Sequence, residues 1–117
     1  MKVVYCEQGM SAVIANIKND ISNFRILVGG PIEVCRPFAH GTCLICNEEA
    51  MYKDIPVNRT IPAEDCPGQD YEIRGTFFIC KTGGGPEDEF YGLTDEEAEM
   101  YRSRINALMS VREGGCR

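Results

Sequence analysis

Seven cysteines, one histidine and a scatter of arginines beside aromatic and amide side chains are the residues of this 117-residue chain whose types can do chemistry. Cys43 and Cys46 form a C-x2-C, the half-site of many zinc centres. A second ligand pair is needed, and the sequence offers only His40 and no second C-x2-C. Both cysteines also lie in an apolar, strand-like run, where positions three apart point to opposite faces. They read as core thiols, and no metal site is expected. A Cys-His nucleophile would have to use His40, with no orienting Asp or Asn evident. G-x-S-x-G and H-E-x-x-H are absent. Gly83-Gly84-Gly85 lacks the Lys-Ser/Thr of a phosphate loop and is followed by acids that would repel phosphate. No enzymatic activity and no cofactor are expected.

A binding constellation remains. Arg36-Pro37-Phe38 ends one strand-like run, Asn47-Glu48-Glu49 ends the next, and Asn58-Arg59 follows a proline. Arg74 precedes Gly75-Thr76-Phe77-Phe78. An arginine fork beside an aromatic face suits a nucleotide-sized anion, with paired donors for phosphate and a platform for a base. The competing reading is that the arginines pair with surface acids and that Phe77 and Phe78 are core. The residues by themselves favour that reading.

These residues need elements to position them. Lys2–Glu7 and Ser11–Ile17 read as two pairing strands. Asn19 or Asp20 can cap a short helix with Ile21, Phe24, Leu27 and Val28 on one stripe, ended by Gly29-Gly30. Ile32–Arg36 and Thr42–Cys46 read as a hairpin turning at Ala39-His40-Gly41. Lys53–Pro56 reads as a loop, Val57–Ile61 as a short strand and Pro62–Asp70 as a loop. Tyr71–Lys81 reads as one long strand with a bulge or close approach at Gly75. Thr82–Glu89 reads as flexible and acidic. Thr94 with Glu97 makes a capping box for a final helix carrying Ala98, Tyr101, Ile105 and Leu108 on one face, ended by Gly114-Gly115. The prediction is a single α+β domain: a mixed or antiparallel sheet of about five strands, one short helix, and a long C-terminal helix packed on one face.

The bulk properties bound the partners. The formal net charge is −6, which argues against general nucleic-acid binding. No apolar run is long enough to span a membrane, and the N-terminus is too soon polar for a secretory signal, so a cytoplasmic location is expected. The odd cysteine count without an export signal argues against a disulfide framework.

The order Leu27-Val28-Gly29-Gly30, Ile32-Glu33-Val34, Pro37-Phe38, Cys46-Asn47-Glu48-Glu49, Pro56-Val57-Asn58-Arg59, Gly75-Thr76-Phe77-Phe78-Ile79 and Leu93-Thr94-Asp95-Glu96 resembles a family of short domains of unknown function carried by phages and mobile elements of Gram-positive bacteria. The cysteine-rich strands and Ala50-Met51-Tyr52 depart from its pattern. The resemblance imports no catalytic residue. It implies a phage-type anti-defence protein in the host cytoplasm, either sequestering a small nucleotide immune signal in a homo-oligomer or blocking a host defence protein. A structural or regulatory role stays open. For sequestration, Arg36 and Arg59 would contact phosphate, Asn47 and Asn58 would give polar contacts, Phe38 would stack on a base, and Phe77 is a further candidate. For protein blocking, the acidic stretch Pro86–Glu89 is the surface expected.

Overall fold

Residues 1–39, 41–83 and 89–108 are described by the structure, a computed structural model. The chain starts with a hairpin, β1 (Lys2–Cys6) and β2 (Val13–Asn16), in the antiparallel pairing read from the sequence. Helix α1 (Ile21–Val28) follows. The Asp20 carboxylate accepts from the Ser22 backbone N–H at 2.8 Å, and Gly29 ends the helix in the left-handed region at φ 83°. Strands β3 (Ile32–Cys35) and β4 (Thr42–Asn47) form the second hairpin. Its turn residue His40 lies outside the described residues. A 3₁₀ turn covers Ala50–Lys53, so part of the expected loop is helical. Then come β5 (Val57–Pro62), β6 (Asp70–Arg74), β7 (Phe77–Thr82), a two-residue β8 (Phe90–Tyr91) and helix α2 (Asp95–Ala107). Among the described residues, no helix is long and apolar enough to cross a membrane.

Among the described residues the main sheet has six strands, in the order β2-β1-β7-β4-β3 with β8 paired to β7. Every described pairing is antiparallel. Alternation gives this sheet two buried faces. Val3, Cys43, Ile45, Phe78 and Cys80 point to the face covered by α1 through Phe24 and Val28. Val4, Cys6, Leu44, Cys46, Phe77 and Ile79 point to the other, covered by Ala98, Tyr101 and Ile105 of α2 and by Ile61 and Ile73 of the β5–β6 pair. An α+β architecture with a short and a C-terminal helix is therefore present, as the patterning predicts.

The long strand expected over Tyr71–Lys81 is two strands in different sheets: β6 pairs with β5, and β7 enters the main sheet. Gly75 at φ 76° makes the break, a conformation that costs a side-chain-bearing residue. Its N–H is shared between the Pro56 carbonyl (3.1 Å) and Gln8 Oε1 (3.0 Å). The acidic segment expected over Thr82–Glu89 and the Gly114-Gly115 helix stop fall largely or wholly outside the described residues.

Candidate functional site

The amide and arginine side chains singled out from the sequence are at the structure's interior joints. Asn58 is fully buried and Arg59 is 2% exposed. Both sit on β5 beneath the β1–β2 turn. The Asn58 amide nitrogen donates to the carbonyls of Cys6 (3.2 Å) and Gly75 (2.9 Å), and its oxygen accepts from Arg59 Nη1 (2.8 Å). Arg59 also donates to the carbonyls of Asn58 (3.1 Å), Met10 (3.0 Å) and Ile105 (3.3 Å). Ile105 lies in the last turn of α2, where the helix dipole favours a cation. Arg59 thus ties three distant segments together through carbonyl oxygens.

Asn47 is buried at the end of β4. Its amide donates to the Val28 carbonyl at the end of α1 (3.3 Å), and its oxygen accepts from the Glu49 N–H (2.8 Å). A Cβ on Gly30 would lie 3.0 Å from that amide, so the second glycine of the pair is where β4 meets the helix end. Phe38 is buried against Tyr101, with ring centres 4.9 Å apart, and the Arg104 guanidinium lies 5.9 Å from the Phe38 ring centre. Phe77 is fully buried in the core. Arg36 is exposed at the end of β3. Asn58 and Arg59 are joined. The six residues do not come together, and Asn47 alone of them borders a cleft at the β3–β4 edge.

That cleft has a volume of about 670 Å3. It lies between the β3–β4 edge, the 3₁₀ turn and β6. Glu33, Glu48, Glu49 and Glu72 bring four carboxylates to its wall, against one cationic lining residue, Arg74. Lys53 pairs with Glu49 (3.0 Å) and Arg74 approaches Glu72 (3.9 Å). Met51 and Tyr52 stand on the rim at 68% and 85% exposure. On the wall, Cys35 Sγ and Cys46 Sγ are 3.9 Å apart. The Cys46 thiol lowers the pKa of Cys35 by hydrogen bonding to its thiolate, against burial and the nearby Glu33 carboxylate, while the same pairing and burial raise Cys46. A second pair, Cys43 and Cys80 at 3.7 Å, is sealed on the opposite face of the sheet. Cys43 and Cys46 thus face opposite sides, as their spacing predicts.

Residues 1–106 match a family model described as Domain of unknown function (DUF3846). The chain belongs to this family. No curated protein and no solved structure matches it. The matched DUF3846 region contains both helices to their last turns, both sheets and the whole cleft. The acidic wall and the thiol pair are absent from the sequence reading. Glu33 and Cys46 are well separated along the chain, and only the β3–β4 register places them opposite each other. The residue-level signal for this site is the period-two alternation of Glu33 and Cys35 beside the strand end Cys46-Asn47-Glu48-Glu49.

Proposed function

We propose that this protein is a non-catalytic binding protein whose β3–β4 edge cleft takes a cationic peptide segment of a partner protein. The observation that carries this reading is the wall of Glu33, Glu48, Glu49 and Glu72 beneath the exposed Met51 and Tyr52. Carboxylates converge on one side, and an apolar and an aromatic group stand ready to cover the stem of a lysine or arginine. On this reading the anti-defence setting implied by the resemblance takes the form of blocking a basic surface of an effector in the host cytoplasm. The nucleotide alternative asks for convergent cations, and carboxylates around the cleft would repel phosphate. Arg59, one of its two phosphate contacts, already gives its donors to carbonyls inside the fold.

The test is a fluorescence-anisotropy titration with labelled peptides bearing Lys/Arg and one aromatic residue. Charge-neutral peptides of the same length serve as controls, beside a melting panel of cyclic nucleotides and cyclic ADP-ribose isomers. Cationic peptides should bind, more weakly as salt rises. Glu48→Gln/Glu72→Gln should weaken them at least ~10-fold without moving the melting temperature, a loss of about 1.4 kcal/mol. A melting shift of several degrees with one nucleotide, together with no peptide binding, would overturn the peptide reading in favour of sequestration.

A further inference from the structure

The wall of the cleft carries one more arrangement. Glu33 and Cys46 are direct cross-strand partners, and Cys35 lies two residues along β3 on the same face as Glu33. One ligand atom from each of Glu33, Cys35 and Cys46 falls within 4.8 Å of the other two. Two thiolates bound ~2.3 Å from a tetrahedral zinc ion have their sulfurs roughly 3.8 Å apart. The Cys35–Cys46 separation of 3.9 Å already matches that spacing and is far from a disulfide bond of about 2.05 Å. Glu33 is exposed, so its carboxylate can turn inward, and Cys35 is only half-buried, so an ion can reach the sulfurs from the cleft. Glu48 adds negative charge beside the cleft, while Lys53 and Arg74 offset part of that of Glu49 and Glu72. The Cys43–Cys80 pair provides an internal contrast: comparable sulfur spacing, packed among core residues on the far face, with no third His, Cys, Asp or Glu ligand atom grouped with it among the described residues.

We propose that Glu33, Cys35 and Cys46 form a three-ligand site for a thiophilic divalent cation of the zinc type, with the fourth position open to the cleft and filled by water. Binding replaces the two thiol protons with the ion: both S–H bonds break, two S–metal bonds form, and two protons go to solvent. The Glu33 carboxylate binds as it stands. The site goes beyond the peptide-binding reading and does not depend on it. The two are linked by charge, because an ion in the wall cancels part of the negative field and should weaken a cationic peptide.

The experiment is an anaerobic titration of the reduced full chain with Cd2+, read by the thiolate-to-metal charge-transfer band, and with Zn2+ in competition with a chromophoric chelator. One ion per chain is expected. Cys35→Ser should weaken binding at least about 100-fold, beyond what loss of an outer-sphere partner alone costs, and Glu33→Gln at least ~10-fold. Cys66→Ser and Cys80→Ala should leave it unchanged. Cys46→Ser tests the buried ligand; if it unfolds, Cys35→Ser and Glu33→Gln decide, because both positions reach solvent. Absence of a charge-transfer band in the native chain would overturn the site. So would a band that survives Cys35→Ser and disappears in Cys66→Ser. Peptide binding that fails while the ion binds would sink only the peptide reading.

Discussion

At the scale of single residues, Arg59 shows how a polar side chain can look like a binding group and be a tie. Its guanidinium meets the Met10, Asn58 and Ile105 carbonyls and the Asn58 side chain. Replacing it with a residue of similar volume and no donors strips these buried acceptors of their charged donor, leaving the Ile105 carbonyl with the Leu108 N–H and the Met10 carbonyl and Asn58 oxygen with the weak Cys6 thiol, and each lost bond costs about 1–3 kcal/mol. Arg59→Met should therefore destabilise the fold by at least about 3 kcal/mol, lowering the melting temperature by roughly 10 °C or more. A melt of that variant beside the wild type is the check, and an unchanged melting temperature would show that the buried bonds contribute little. That Asn58-Arg59 needs a polar role is legible in the sequence. Their partners are not, because Cys6 and Met10, Gly75, and Ile105 come from three other stretches of chain. A ligand's phosphate and a neighbour's carbonyl ask for the same donors. Phe38 misleads for a similar reason: an aromatic beside a proline is as good a lid for Tyr101 as a platform for a base.

At the scale of elements, local signals succeed where a helix or strand is stabilised by its own residues. Thr94 and Glu97 close their capping box as expected, with the Thr94 N–H donating to Glu97 (2.9 Å) and the Glu97 N–H to the Thr94 hydroxyl (3.1 Å). The Thr94 N–H and the Lys81 ammonium hold the Glu97 carboxyl below its ordinary 4.5. The folded form therefore binds this proton less readily than the unfolded chain. Its contribution is complete above the unfolded value and fades as pH falls through the lowered one. Glu97→Gln should be less stable than wild type near neutral pH, and melts of the two should converge in acid, well below pH 4.5. Thr94→Ala should cost about 1 kcal/mol in denaturant midpoint experiments. The stretch Tyr71–Lys81 is continuous in composition, and its division into two strands depends on Gly75. A Cβ there would lie 3.0 Å from the Ile55 side chain in addition to the φ penalty. Gly75→Ala is expected to lose about 1–2 kcal/mol, seen as a lower urea midpoint at unchanged slope. A neutral result would mean that the break between β6 and β7 has slack.

At the scale of the whole molecule, the net charge of −6 is unevenly distributed: four acidic side chains of the β3–β4 edge, the turn after it and β6 share one cleft wall. Composition reveals an acidic protein. It cannot reveal that these acids converge, because Glu33 and Glu72 are brought together only by the packing of β6 against β4. The cysteines divide in the same way, one pair sealed beneath α1 and one facing the cleft, a distinction created by strand alternation.

The position of β7 has a consequence for how the chain is made. The two early hairpins, β1–β2 and β3–β4, pair locally and are complete once Asn47 has been synthesised. Among the described residues, no backbone ladder joins one to the other until β7 slides between β1 and β4, and β7 ends at Thr82. At about 5–20 residues per second, a ribosome needs several seconds to travel from Glu48 to the end of that strand. During that interval both hairpins expose the edges that β7 will cover, including the backbone groups of Val4–Cys6 and Thr42–Ile45. Unpaired edges of this kind are templates for pairing with other chains. The order of synthesis therefore leaves a window in which the nascent protein is most exposed to mispairing, and the strand that enters the middle of the sheet is the one that closes it.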